Sequence, residues 1–281
     1  MKLDLIEARS LIFLPADRTD RLDKAAALLS GGVILDLEDG VTPGALGAAR
    51  SSLSDSVGRL RKAGRKMVVR INSGEELAAD LDAIAAAWPD AVMLPKAETA
   101  ASVANLDQEL AKRQAPENLR HILLVETPLG VVNAAQVAAA AHPGDALAFG
   151  SEDFATLMGV SSGPEELDFP ARQVALAARA YGLAAFGVIG SIAEIKDQGA
   201  FAGYCSAARK AGFTGALTIH PAQVATAENI FAPTEADLAW ANTVIEDAAQ
   251  GGEGAIRGRD GRMIDRPVLA RARSILRRAG A

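Results

Sequence analysis

Short runs rich in Val, Ile and Leu alternate along the chain with longer Ala-rich stretches of helical periodicity. Eight such apolar runs stand out, at 10–14, 32–37, 67–71, 91–94, 121–125, 146–149, 184–186 and 216–219, the seventh of them short. They are nearly continuous in apolar residues rather than alternating, as expected of strands covered on both faces. Helix-competent sequence follows nearly every one, so the pattern is that of consecutive βα units around a parallel sheet. Eight units predict an α/β fold, a (β/α)8 TIM barrel occupying residues 1–232. After Pro221 the rhythm changes. Two more helices are expected at 235–248 and 267–278, separated by a Gly-rich, charged segment from Gly251 to Gly261. Nothing in a closed barrel needs this piece, so residues 233–281 are read as a C-terminal helical extension: a tail, a lid over the barrel mouth, or an arm to a neighbouring subunit.

Composition narrows the function. The 281 residues are 49% apolar and 23% charged, enough for one large, well-filled core. A net charge of −6 argues against a nucleic-acid groove, which needs clustered Lys and Arg. Cys205 is the only cysteine, so no internal disulfide can form, and its Ala-rich helical surroundings suit a small buried packing residue. The N-terminus carries Lys2, Asp4, Glu7 and Arg9 and lacks an apolar stretch of signal-peptide length. No run approaches membrane-spanning length, and a cytoplasmic protein is expected.

The chemistry gathers at strand ends. Glu126 stands just past the fifth run and Asp153 just past the sixth, 27 positions apart, the spacing of one βα unit. In a parallel barrel that spacing puts both carboxylates on the C-terminal rim, where reaction sites of this architecture are assembled. Neither Cys nor His accompanies them, and two carboxylates favour Mg2+ over Zn2+, because Mg2+ keeps several waters and coordinates substrate oxygens. The alternative is structural, with Glu126 capping a helix and Asp153 paired to a nearby Arg. Other strand ends carry Arg18, Glu38 with Asp39, Arg70 with Asn72, Lys96 and His220. A turn after a strand prefers Gly, Asn, Asp or Pro, so these long charged side chains call for another explanation, and convergence around a metal supplies one.

Taken in order, Arg9-Ser10, Phe13-Leu-Pro-Ala-Asp-Arg18, Lys24, Leu35-Asp-Leu-Glu-Asp-Gly40, Val69-Arg-Ile-Asn72, Leu94-Pro-Lys96, Val125-Glu126-Thr127, Phe149-Gly-Ser-Glu-Asp153 and Ile219-His-Pro-Ala-Gln223 resemble the HpcH/HpaI aldolase superfamily. Within it, the citrate lyase β-subunit-like and malyl-CoA lyase branch fits best. The resemblance runs from about Arg9 to Arg278. It implies a Mg2+-dependent carbon–carbon lyase, or the reverse Claisen-type synthase, acting on an acyl-CoA thioester and a small 2-oxo acid such as glyoxylate or pyruvate. Mn2+ would substitute for Mg2+, CoA would enter as part of the substrate, and the assembly would be a homotrimer or a dimer of trimers. One departure is Ala16, where a Gly is common in the phosphate-side loop; Ala fits if its φ is negative.

The same resemblance implies roles for single residues. Glu126 and Asp153 become the metal ligands, and Arg70 the partner of the reacting oxygen, where a guanidinium stabilises a developing enolate. Glu38 and Asp39 would accept hydrogen bonds from metal waters or from Arg70; an ion pair that merely stabilises the barrel explains them nearly as well. Phe13, Arg18 and Lys24 resemble positions that meet the acyl-CoA, and Glu152, Ile219 and His220 complete the substrate-facing set. Lys24 could equally be solvated, and His220 could simply pack before Pro221. Lys96 could be read as a Schiff-base lysine, but that needs an apolar pocket, and this rim is crowded with charge. Asp265, in Gly261-Arg-Met-Ile-Asp265-Arg-Pro267, resembles a lid residue that reaches an adjacent subunit's site as acid/base, and its place before Pro267 also suits an N-cap. Two other activities stay open at this point: a CoA-independent aldolase releasing pyruvate, and a subunit that acts only with an acyl-carrier partner. His121, at the far end of a strand, and His142, in a loop before Pro143, look structural.

Overall fold

The computed structural model describes residues 3–251 and 255–279. Lys2 and residues 252–254 of the Gly-rich connector lie outside the described residues. Strands β1 (Ser10–Pro15), β2 (Gly32–Asp36), β3 (Met67–Arg70), β4 (Ala91–Leu94), β5 (Arg120–Val125), β6 (Ala146–Phe149), β7 (Ala184–Phe186) and β8 (Ala216–Thr218) form one parallel sheet in the order β7-β6-β5-β4-β3-β2-β1-β8. The eight expected runs are all strands, and their ends shift by no more than a residue. Such shifts mark where the ladder thins: Leu37 N–H still donates to the Arg70 carbonyl (2.9 Å) although β2 ends at Asp36. The two edge strands meet through a bridge from Phe186 to Gly215, with Thr214 N–H donating to the Ala185 carbonyl at 2.7 Å, so the sheet closes into a barrel.

Helices α1 (Leu22–Ala27), α2 (Leu46–Lys62), α3 (Leu77–Ala85), α4 (Ala100–Lys112), α5 (Pro128–Val132), α6 (Ala134–Ala140), α7 (Ser151–Met158), α8 (Pro164–Ala180), α9 (Gln198–Ala211) and α10 (Pro221–Phe231) surround it. Local sequence starts and stops them. Thr99 caps α4 reciprocally with Ser102, Thr127 accepts the Gly130 N–H at the start of α5, and Gly159 ends α7 in a left-handed conformation (φ 69°). Cys205 is fully buried on α9, and burial pushes its thiol pKa up to about 12, as suits a packing residue.

Because successive strand residues point to opposite faces, the sheet divides its apolar residues into two clusters. Val33, Leu35, Val69, Val92, Leu123 and Leu147 face the helices. Leu11, Ile34, Val68, Met93, Ile122, Leu124 and Phe186 fill the barrel interior, with Ala91, Ala146, Ala148 and Ala184 making room for the larger side chains. Leu3, Leu5 and Ala8, just before β1, belong to this inner cluster and seal the N-terminal end. Beyond Leu37, Ile71 and Val125 of the outer cluster, the inward rows continue into polar residues, and this places the site.

Contacts divide the chain into two compact units, Met1–Phe231 and Ala232–Ala281. The second consists of α11 (Glu235–Gly251) and α12 (Arg266–Ala279) with an antiparallel pair, β9 (Ile256–Arg257) and β10 (Met263–Ile264). It has its own small core of Ala241, Val244, Ile264 and Ala272. Arg271 lies over the Trp240 ring at 4.6 Å, and Arg259 Nε donates to Asp247 (2.7 Å). Among the described residues, no helix is long and apolar enough to cross a membrane.

Candidate active site

A cleft of about 390 Å³ opens at the C-terminal ends of the strands, lined among others by Phe13, Asp39, Arg70, Glu126, Glu152, Asp153 and Ile219. Most of these side chains continue the inward rows of the barrel: Leu11 to Phe13, Ile34 to Asp36 and Glu38, Val68 to Arg70, Leu124 to Glu126, Leu217 to Ile219. The apolar interior thus gives way to charge along unbroken strand register.

Arg70 is the centre of the buried network. Its Nε and Nη2 donate to the two carboxylate oxygens of Asp36 at 2.7 Å each, a bidentate pair. Nη1 lies 2.9 Å from Glu38 Oε2 and 3.5 Å from Asp39 Oδ2, and the Phe13 ring sits 4.9 Å from its Cζ. Burial lowers the guanidinium's pKa, but Asp36, Glu38 and Glu126 together hold it above its ordinary value, so the charge is permanent. Asp36 is the residue that reading from the sequence missed. It is buried, and its remaining lone pairs accept the N–H groups of Glu38 (3.0 Å) and Gly40 (2.9 Å). A Cβ on Gly40 would collide with that carboxylate. The signal was present in Leu35-Asp-Leu-Glu: with leucines on the outer face, Asp36 and Glu38 share the inner one.

Lys96 is tied to the same network. Its backbone takes the left-handed conformation (φ 50°), rare outside glycine, and this aims its N–H at Glu126 Oε1 (2.9 Å). Its Nζ donates to Glu38 Oε1. Burial lowers the ammonium's pKa, yet Glu38, Glu126 and Asp39 hold it above the ordinary value, the opposite of what a Schiff-base lysine requires.

Glu126 ends the inner row of β5 and is almost fully buried. Burial first, then the nearby charges of Glu38 and Asp153, push its carboxyl up to about 8. It does not cap a helix; Thr127 does that for α5. Gly150, at the end of β6, gives it room, for a Cβ there would lie 2.5 Å from Glu126 Cβ and 2.8 Å from Oε2. Asp153 sits three residues later in the first turn of α7, half-buried, and among the described residues no Arg or Lys pairs with it. A buried carboxylate facing a second, unpaired one in a polar cleft is the donor chemistry of a hard divalent cation such as Mg2+, and the residues fit that group. Glu152 is fixed by the Ser191 hydroxyl, which donates to Oε1 at 2.7 Å.

A neighbouring pocket of about 280 Å³ shares Phe13, Arg21 and Ile219 with the cleft and adds Lys24 and His220. Arg18 lines neither pocket. Its guanidinium pairs with Asp20 through two bonds of 2.9 Å, and Arg21, which the sequence did not single out, occupies the wall instead. His220 Nδ1 accepts the Ala222 N–H at 3.2 Å, so its ring also starts α10. Buried Gln223 holds this corner by accepting the N–H groups of Ile219 and His220 and donating to the carbonyls of Ile192 and Glu194. Asn72 turns away from the cleft, bridging the Leu37 carbonyl (2.8 Å) and Asp80 (2.9 Å). Ala16 is absent from the positive-φ residues, so its methyl fits the loop without strain. In the C-terminal unit, Asp265 Oδ1 accepts the Val268 N–H (3.1 Å) and caps α12.

Comparison with known proteins identifies the family. A citrate lyase subunit beta-like protein of Mycobacterium tuberculosis is 38% identical over 277 residues, covering 96% of this chain and 94% of its own. A (3S)-malyl-CoA thioesterase of Cereibacter sphaeroides is 33% identical over 281 residues, covering 97% and 95%. The crystal structure of CitE from M. tuberculosis in complex with magnesium, acetoacetate and coenzyme A superposes with a TM-score of 0.73 at 34% identity, over 97% of this chain and 98% of that one. Residues 9–221, which contain every barrel strand and the whole charged rim, match the HpcH/HpaI aldolase/citrate lyase family, and the chain belongs to it.

Proposed function

We propose that the protein is a Mg2+-dependent carbon–carbon lyase, or the reverse Claisen-type synthase, acting on an acyl-CoA thioester and a small 2-oxo acid. The observation that carries this reading is the buried Glu126, pushed up to about 8, beside Asp153 and facing a permanently charged Arg70. Glu126 and Asp153 would hold Mg2+, or Mn2+ in its place. When bound, the ion supplies Lewis acidity and orients the carboxylate and carbonyl oxygens of the oxo acid.

The chain's own residues do the rest. Asp36 locks the Arg70 fork through Nε and Nη2, so Nη1, the nitrogen beside Glu38, is the donor that would stabilise the negative charge developing on the reacting oxygen. Glu38 holds both cations, Arg70 and Lys96, so neither reorganises during the reaction. Phe13 covers the guanidinium and keeps water from it. The adjoining pocket, with Arg21 and Lys24 on its wall and exposed Ile219 at its junction with the cleft, suits an anionic, elongated acyl-CoA, whose phosphates those cations would face. Asp39, on the cleft wall 3.5 Å from Arg70, is an acid/base candidate within the barrel. Asp265 is assigned the acid/base role across a subunit boundary, in a homotrimer or dimer of trimers. Exposed Leu129, Val132, Leu157, Met158, Phe169 and Leu176, on the mutually packed α5, α7 and α8, offer an apolar face suited to such an assembly.

The test is a panel of acyl-CoAs with glyoxylate, pyruvate and oxaloacetate, with and without Mg2+, read by mass spectrometry. Metal-dependent formation or cleavage of a carbon–carbon bond supports the reading; turnover of oxo acids alone, or only with an acyl-carrier protein, replaces it. Mixed oligomers of Asp265→Ala and Asp153→Asn chains should regain activity. If a verified mixture stays inactive, Asp265 does not act across subunits.

A further inference from the structure

We propose that Asp107, His121 and His142 form a second cation site, for a divalent transition metal of the Zn2+ class, at the N-terminal end of the barrel. The chain has three histidines in 281 residues, and two of them meet here, ring centroids 5.6 Å apart and edge to face. They come from separate elements: His121 from the start of β5, His142 from the loop between α6 and β6, and Asp107 from α4. One ligand atom of each lies within 4.8 Å of the other two. His142 Nε2 is 3.1 Å from both oxygens of Asp107, and His121 Nδ1 is 3.6 Å from Asp107 Oδ1. Tetrahedral Zn2+ with ligands at its usual bond lengths needs donor separations of roughly 3.4 Å, so small side-chain adjustments close the set.

An independent feature points to a ligand. The His121 side chain is only 6% exposed, and its Nδ1 has no hydrogen-bond partner. Buried polar atoms are nearly always satisfied, and a metal ion beside Nδ1 would satisfy this one. Burial lowers the imidazole's pKa, outweighing Asp145 and Asp107. Asp145, itself fully buried, fixes the geometry: Oδ1 accepts the His121 N–H at 2.8 Å and Oδ2 the His142 N–H at 2.9 Å. The other side is open. Asp107 and His142 side chains are 34% and 54% exposed, which gives an entry path and room for a water as fourth ligand. Two imidazoles and one carboxylate select a borderline cation, whereas the catalytic rim offers oxygens alone and selects a hard one. The bound ion would pin α4, β5 and the α6–β6 loop together.

Titration of metal-stripped protein with Zn2+ in excess Mg2+, against a chromophoric chelator, tests this. The full-length chain is used, both as wild type and with Glu126→Gln and Asp153→Asn, so that the catalytic carboxylates do not contribute. One equivalent of Zn2+ should bind in both and raise the Tm, and Co2+ in its place should show the visible absorption of a tetrahedral centre. His142→Ala and Asp107→Asn, at partly exposed positions that the fold tolerates, should each weaken Zn2+ binding about 100-fold or more and abolish the Tm rise. Absence of a bound equivalent, or equal affinity in these folded variants, overturns the proposal.

Discussion

Near the N-terminal end of the barrel, β1, β2, β3 and β5 point Leu11, Ile34, Val68 and Ile122 inward, sealed by Leu3 and Leu5. Further along the same strand register, the inward side chains are Phe13, Asp36 with Glu38, Arg70 and Glu126. The lower half stabilises by removing apolar surface from water. In the upper half, buried charges cost desolvation that only mutual pairing offsets, and the pairing is incomplete, since Glu38 and Glu126 both titrate above the ordinary carboxylate range. On the proposed function, the difference means that charge at the upper end is kept for chemistry. Substitutions there should cost activity, and substitutions below should cost stability.

The largest effect is expected at the proposed metal ligands. Glu126→Gln and Asp153→Asn should each lower Mg2+-dependent turnover by about 1,000-fold or more while circular dichroism stays native, because each replaces an anionic ligand with a weaker neutral oxygen. Wild-type rates at limiting Mg2+ would break the comparison at its upper end.

Arg70→Lys follows, with an expected loss of about 100-fold in kcat/KM despite the retained charge. An ammonium cannot bind both oxygens of Asp36 and still present a fixed donor to the cleft. Unchanged kinetics would make Arg70 a structural ion pair.

At the opposite end, Leu5→Ala should destabilise the fold by about 2–5 kcal/mol in denaturant unfolding, since Leu5 is only 1% exposed within the inner cluster. Activity per folded molecule should not change. A drop in kcat at full folding would show that the two ends are coupled.

The smallest effect sharpens the electrostatic side. Glu126 titrates near 8 in the folded chain against an ordinary 4.5, so the folded state binds the proton more tightly. Stability of the metal-free protein should therefore fall as pH rises between those values. Glu126→Gln removes that titration, and its Tm should fall less over the same range, by roughly a few degrees. Added Mg2+ should narrow the gap between the two proteins, since it favours the ionised carboxylate. Parallel Tm curves for the two metal-free proteins would mean that Glu126 ionises freely.

Much of this was legible without coordinates. Continuous apolar runs at βα spacing predict a parallel barrel, because only strands buried on both faces tolerate them, and each of the eight runs is a strand. The strand-end position of Glu126, Arg70 and Asp153 was likewise open to reading, since strand direction dictates which end of a barrel a residue occupies. Asp36 escaped because the apolar run reads through to Leu37, with the charged rim only beyond it, although its two-residue offset from Glu38 put both on one face. Arg18 and Arg21 could not be told apart by pattern: which cation reaches the pocket depends on a local competition that Asp20 decides.

The sequence by itself determined the architecture and the residue types at the rim, because periodicity and spacing are properties of neighbours along the chain. Tertiary structure alone decided the bidentate lock of Asp36 on Arg70, the left-handed turn that aims Lys96 N–H at Glu126, and the meeting of His121 with His142. Each of these joins groups from separate strands and loops, and such distances are set only when the sheet closes and the helices pack against it.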